Sequence, residues 1–135
     1  MTLLKKFDHI GIGVKDLQKT MEELSRLLGI ECQEKIALNE IGVQIAFYPL
    51  GDGQMELIQF DKIIDGVDPI VTQPRAGVQH IAFEVEDLEE AIKELKARGM
   101  KLVKGFPRKG AHGMVAFFYP TETLEFLIEI CEPQK

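Results

Sequence analysis

"FDHIGIGVKDL" at residues 7–17 returns, altered, as "VQHIAFEVEDL" at residues 78–88. At the same offset of 71 residues, His9 falls on His80, Ile10 on Ile81, Val14 on Val85, Asp16 on Asp87, Leu17 on Leu88, Glu23 on Glu94 and Leu24 on Leu95. "GVQIAFYP" (42–49) falls on "GMVAFFYP" (113–120), with Gly42 on Gly113 and Phe47-Tyr48-Pro49 on Phe118-Tyr119-Pro120. A single register holding across two separated segments marks a tandem duplication. The chain of 135 residues therefore reads as one domain, 1–135, made of two repeats at about 6–60 and 77–132. A linker near 61–77, containing Pro69 and Pro74, joins them.

Each repeat reads as strand, helix, then three strands. "HIGIGV" and "HIAFEV" alternate with period two, so Ile10, Ile12 and Val14, like Ile81, Phe83 and Val85, share one face and form the core side. Asp16 and Asp87 stand where helix N-caps belong, and Asp87 with Glu90 has capping-box spacing. Leu17, Met21, Leu24 and Leu28 make one apolar helical stripe; Leu88, Ile92 and Leu95 make another. Gly29 and Gly99 end these helices as left-handed caps. Strand-like segments follow at 43–50, 54–60, 101–104, 114–119 and 124–131. The fold class expected is α+β, built of tandem βαβββ modules.

Bulk composition narrows the function. With 45% hydrophobic and 28% charged residues the chain is globular rather than disordered. A net charge of −6 argues against nucleic acid as partner. No apolar run reaches the length of about 20 residues that spans a bilayer, and "MTLLKKFDH" lacks the pattern of a signal peptide, so a cytoplasmic protein with no membrane partner is expected. Cys32 and Cys131 form no CxxC pair and read as free thiols.

The strand faces opposite the core carry the chemistry. Beside His9 that face holds only Gly11 and Gly13; beside His80 it holds Ala82 and Glu84. A histidine with no bulky neighbour on a concave face suits a pocket. A single strand-opening histidine is usually structural, but two placed identically in a duplicated frame point to ligands. Each repeat also ends in an apolar strand with a carboxylate, Glu56 in "QMELIQF" and Glu129 in "EFLIEIC". A buried carboxylate costs several kcal/mol unless it is paired or holds a metal. If the halves pair across a pseudo-twofold axis, His9, Glu56, His80 and Glu129 converge as a His2Glu2 set. Such donors suit one divalent metal ion, with cobalt, manganese, nickel and zinc undistinguished.

With these residues in view, the sequence resembles the vicinal oxygen chelate superfamily (glyoxalase/bleomycin resistance/dioxygenase), and within it the methylmalonyl-CoA epimerases. The likeness runs through "DHIGIGVKDL" (8–17), "GVQIAFYPLGDGQMELIQ" (42–59), "HIAFEVEDLEEAIKELKARGMKLV" (80–103), "GAHG" (110–113) and "FLIEICE" (126–132). The resemblance implies that the modules form a glyoxalase-like half-barrel of mixed sheet with helices outside, around a metal held by His9, Glu56, His80 and Glu129, and that the chain forms a homodimer. It implies an epimerase acting on a small-molecule acyl-CoA thioester, by α-proton abstraction and a metal-stabilised enediolate, with Glu129 also as catalytic proton carrier. Gln44 is expected at the inward strand position where some epimerases carry a glutamate, so His112 and Glu125 become candidates for the second proton carrier. Gln44, His112 and Lys109 are the expected substrate-binding residues, and Lys101, Lys104, Arg108 and Lys109 could meet the phosphates of coenzyme A. "YPTETLEFLIEI" (119–130) departs from the epimerase pattern near "HPKSTGGVLIEL", which leaves the acyl group open. Two alternatives stand beside the epimerase. One is a lactoylglutathione lyase (glyoxalase I)-like isomerase, disfavoured because "DPDGY" is absent; the other is a non-catalytic ligand-binding member, disfavoured because all four ligands are present.

Overall fold

The computed structural model describes residues 3–72 and 77–134, so Pro74 of the expected linker lies outside the described residues. The first repeat contributes β1 (Lys6–Gly13), α1 (Leu17–Leu28), β2 (Glu34–Leu38), β3 (Val43–Leu50) and β4 (Gly53–Phe60). A short helix α2 (Pro69–Thr72) follows, then β5 (Gly77–Glu84), α3 (Leu88–Ala97), β6 (Arg108–Lys109), β7 (Gly113–Phe118) and β8 (Leu127–Pro133). All eight strands join one sheet in the order β2-β3-β4-β1-β5-β8-β7-β6. The two halves of that order are the same connectivity written outward from a central antiparallel pair, β1 with β5. In each half the first strand runs parallel to the last, β1 to β4 and β5 to β8, so the sheet is mixed. It curls into the expected half-barrel.

Local chemistry sets the element ends. Asp16 Oδ1 accepts from the Lys19 amide at 3.0 Å and Asp87 Oδ1 from the Glu90 amide at 3.1 Å, so both aspartates cap their helices. The last strand of each repeat also reaches its own helix: Gln59 Oε1 accepts from the Leu17 amide at 2.8 Å, and Glu132 Oε1 from the Leu88 amide at 2.9 Å. Gly29, at φ 68°, closes α1 in the left-handed conformation. On the outer face Leu17, Met21 and Leu24 pack with Ile12 and Val14 against Ala46, Tyr48 and Leu57. Leu88, Ala91, Ile92 and Leu95 pack against Val85, Ala116, Phe118 and Ile130. Leu28 is 67% exposed, so the first apolar stripe stops at Leu24.

Three strand boundaries differ from the sequence expectation. Residues 101–104 give only an isolated bridge, Leu102 to Phe118, and the strand pairing with β7 is the two-residue β6. In the first repeat, β2 forms along the edge at Glu34–Leu38, where the alternation is weak. β8 opens at Leu127 rather than at 124 because the preceding segment closes on itself. There Thr121 Oγ1 accepts from the Leu124 amide at 3.0 Å, while the Thr121 amide donates to the Leu124 carbonyl at 2.9 Å.

Candidate metal centre and cavity

The concave face of the sheet encloses a cavity of about 310 Å³. Its walls are apolar, including Val43, Ile45, Phe47, Ile58, Phe60 and Phe117, and its floor holds His9, Glu56, His80 and Glu129. These four polar residues come one each from the four central strands, and all are buried. Register explains how they meet. Gly11 pairs with Glu56 on one side and His80 on the other, while Ala82 pairs with His9 and Glu129. A small residue thus separates the ligands in each row. A Cβ added at Gly11 would lie 2.1 Å from His80 Cε1, so the imidazole of the second repeat rests directly on the glycine of the first.

Three of the four side chains share one centre. His9 Nε2 and His80 Nε2 stand 3.0 Å apart, and Glu129 Oε1 lies 3.2 Å from the former and 3.0 Å from the latter. Cis ligands placed about 2.1 Å from a first-row ion are separated by about 3.0 Å, so this triangle has the spacing of one face of a coordination octahedron. The donor set fits the metal. Glu56 does not join the triangle: its Oε2 lies 3.0 Å from Nδ1, on the other edge of the His9 ring, and accepts from Gln54 Nε2 at 3.2 Å. Asp8 Oδ2 meets the same Nδ1 at 2.6 Å. The four-residue set expected from the sequence is therefore built as three donors plus a carboxylate that grips His9 from behind.

Electrostatics follow from this crowding. Burial opposes a charge on His9, but hydrogen bonds to Asp8, Glu129 and Glu56 outweigh it and push its pKa up to about 12. Burial likewise raises the Glu129 carboxyl, and hydrogen bonds from His80 and His9 overcome that, bringing it down to about 2. The centre thus pairs an imidazolium at His9 with an ionised Glu129.

The other expected site residues divide. Lys109 and His112 line the cavity at its exposed rim; the His112 ring stands 5.0 Å from that of Phe47 and its Nε2 lies 3.4 Å from Glu34 Oε1. Arg108 lines it too, whereas Lys101 and Lys104 do not. Gln44 lies on the opposite face of β3. Val43, Ile45 and Phe47 alternate toward the cavity, so Gln44 turns outward and donates to Asp61 Oδ2 at 2.9 Å. The inward position next to it is Ile45, which has no proton to give or take. Glu125 is exposed in the closed turn before β8 and shares no strand face with Glu129. Sequence reasoning passed over Asp8, Gln79, Gln54 and Thr72. Asp8 and Gln79 had a signal, since each directly precedes a ligand histidine at the repeat offset; Thr72 had none. Its Oγ1 is buried on the cavity wall with no hydrogen-bond partner among the described residues.

Comparison with known proteins agrees with this architecture. The model of the Glyoxalase/Bleomycin resistance protein/Dioxygenase superfamily matches residues 8–118. The chain belongs to that superfamily. It is 30% identical over 134 residues to an ethylmalonyl-CoA/methylmalonyl-CoA epimerase of Cereibacter sphaeroides, covering 95% of this chain and 98% of that protein. It is also 30% identical over 131 residues to the mitochondrial methylmalonyl-CoA epimerase of Bos taurus, covering 94% of this chain and 74% of the relative. Among solved structures, a methylmalonyl-CoA epimerase of Streptomyces coelicolor in complex with 2-nitronate-propionyl-CoA superposes with a TM-score of 0.81. That pair is 25% identical and covers 98% of this chain and 99% of the other. The chain is an isomerase of the epimerase kind. No described helix is long and apolar enough to cross a membrane.

Proposed function

We propose that the chain is a divalent-metal-dependent epimerase of an alkylmalonyl-type acyl-CoA thioester. The observation that carries this reading is the triangle of His9 Nε2, His80 Nε2 and Glu129 Oε1, all within about 3.2 Å, on the floor of a mainly apolar cavity. A first-row ion bound there, cobalt, manganese, nickel or zinc, would supply Lewis-acid stabilisation of an oxyanion. His9, His80 and Glu129 would hold that ion, with Glu56 as the adjacent carboxylate on His9. Glu129 stays ionised across the neutral range and is the proton carrier for one face of the planar intermediate. His112, at the rim, is the proposed group for the opposite face, since Ile45 cannot serve. Thr72 Oγ1 offers a hydrogen bond to the acyl oxygens, and Arg108 with Lys109 meets the phosphates of coenzyme A. The apolar walls take the alkyl substituent and exclude water. A cytoplasmic homodimer is the accompanying proposal, with the pairing supported by the family resemblance; the three ligands come from one chain.

The test is α-proton exchange by metal-loaded protein on methylmalonyl-CoA in deuterium oxide, followed by proton NMR, with a glutathione hemithioacetal run alongside. Deuterium entering the α-position only with metal is the expected result. Turnover of the hemithioacetal without exchange of the thioester would overturn the reading.

A further inference from the structure

We infer that Gln79 is a positioning residue that fixes His80 in the one tautomer able to present Nε2 to the centre. The inference rests on the reading that the centre holds a metal. Gln79 is 1% exposed and directly precedes the ligand histidine. Its Nε2 donates to the Val71 carbonyl at 2.9 Å. A carbonyl only accepts, so the amide orientation is settled, and the Gln79 oxygen must point the other way, to its partner His80 Nδ1. That oxygen also only accepts, so Nδ1 carries a proton and Nε2 is the nitrogen left to meet a metal ion, aimed at His9 Nε2 and Glu129 Oε1. A relay of two hydrogen bonds thus runs from the linker helix α2 to a metal ligand.

The first repeat solves the same problem at the same register position. Asp8, 71 residues before Gln79, precedes His9 and accepts from its Nδ1 at 2.6 Å. Each module therefore supplies a ligand and its orienting acceptor as a dipeptide, "DH" and then "QH". Exposure accounts for the difference in residue type. The Asp8 side chain is 32% exposed and its charge stays partly hydrated, whereas a carboxylate at the sealed position of Gln79 would be buried facing a carbonyl oxygen.

The experiment has two readouts, neither of them turnover. In metal-free native protein, nitrogen-15 NMR of His80 should show Nδ1 protonated. Cobalt(II) titration followed by visible absorption should then show Gln79→Met losing about 10–100-fold in affinity, while Gln79→Glu, which at this buried position takes a proton and as the neutral acid both donates to the Val71 carbonyl and accepts from Nδ1, stays within about threefold. Circular dichroism of each metal-free variant separates this loss from unfolding. If Gln79→Met does not fold, the native tautomer and the Gln79→Glu titration decide. A His80 whose Nδ1 carries no proton, native cobalt affinity in folded Gln79→Met, or a Gln79→Glu protein as weak as Gln79→Met would overturn the inference. Native protein that takes up no cobalt overturns it together with the metal reading, whereas native uptake with the opposite tautomer overturns it alone.

Discussion

Gly11 carries no functional group, yet the centre depends on it, because the His80 ring occupies the space its Cβ would fill. Gly11→Ala should push His80 off the triangle and weaken cobalt binding by at least about tenfold while the sheet still forms, measurable by absorption titration and circular dichroism. The two carboxylates should separate by role. Glu129→Gln should lower α-proton exchange by about a hundredfold or more, whereas Glu56→Gln, changed on the far edge of His9, should retain most cobalt binding. Loss of cobalt binding in Glu56→Gln would show that Glu56 sits among the ligands in solution. His9 gives a pH dependence. Held at about 12 in the folded metal-free chain against an ordinary 6.5, it stabilises fully below pH 6.5 and loses that contribution as pH rises toward 12. Glu129, held at about 2 against 4.5, contributes fully above pH 4.5 and loses its share as pH falls toward 2. Metal-free stability should therefore peak between pH 4.5 and 6.5 in urea titrations. Cobalt affinity should rise about tenfold per pH unit near neutrality as His9 gives up its proton. At this scale the sequence identified the polar residues on the floor because burying two imidazoles and two carboxylates in a duplicated frame demands compensation. It could not reveal that Glu56 takes the back of His9, since either nitrogen edge satisfies the same spacing, nor that Gln44 turns outward, which needs the phase of β3.

The strands and helices owe their ends to a few polar contacts repeated in both modules. Asp87→Ala removes the acceptor for the Glu90 amide and should cost about 1 kcal/mol in urea unfolding, with cobalt affinity unchanged because α3 packs on the outer face. An affinity loss would mean that α3 communicates with the centre. β1, β3, β4, β5, β7 and the two long helices were legible because their period-two or helical apolar patterns are strong and their caps lie at fixed offsets. β2 and β6 were not, being edge strands with little to bury. The start of β8 was misplaced because apolar residues at 124 and 126 mimic a strand, while the Thr121 hydroxyl closes a turn that alternation does not report.

Across the whole molecule, the duplication explains why a site made of isolated residues can be exact. Placing β1 beside β5 at the centre of the sheet carries each repeat's histidine and terminal carboxylate to the same axis, so one arrangement written twice supplies the donor set. Gly11 and Ala82 show where the symmetry relaxes: His80 lies on a bare backbone, while His9 leaves room for a methyl. The repeated βαβββ unit followed from the sequence because its strand and helix patterns bury apolar residues on one face; the half-barrel came with the family resemblance. The cavity walls were less legible, since Ile45, Phe47 and Phe117 read equally well as core. Everything turns on whether a single chain gathers one ion between its halves. Visible absorption during cobalt(II) titration of the native chain, repeated for His9→Ala and His80→Ala, decides it. The account predicts saturation at one ion per chain and loss of the signal in both variants. Saturation unchanged by either substitution would contradict it.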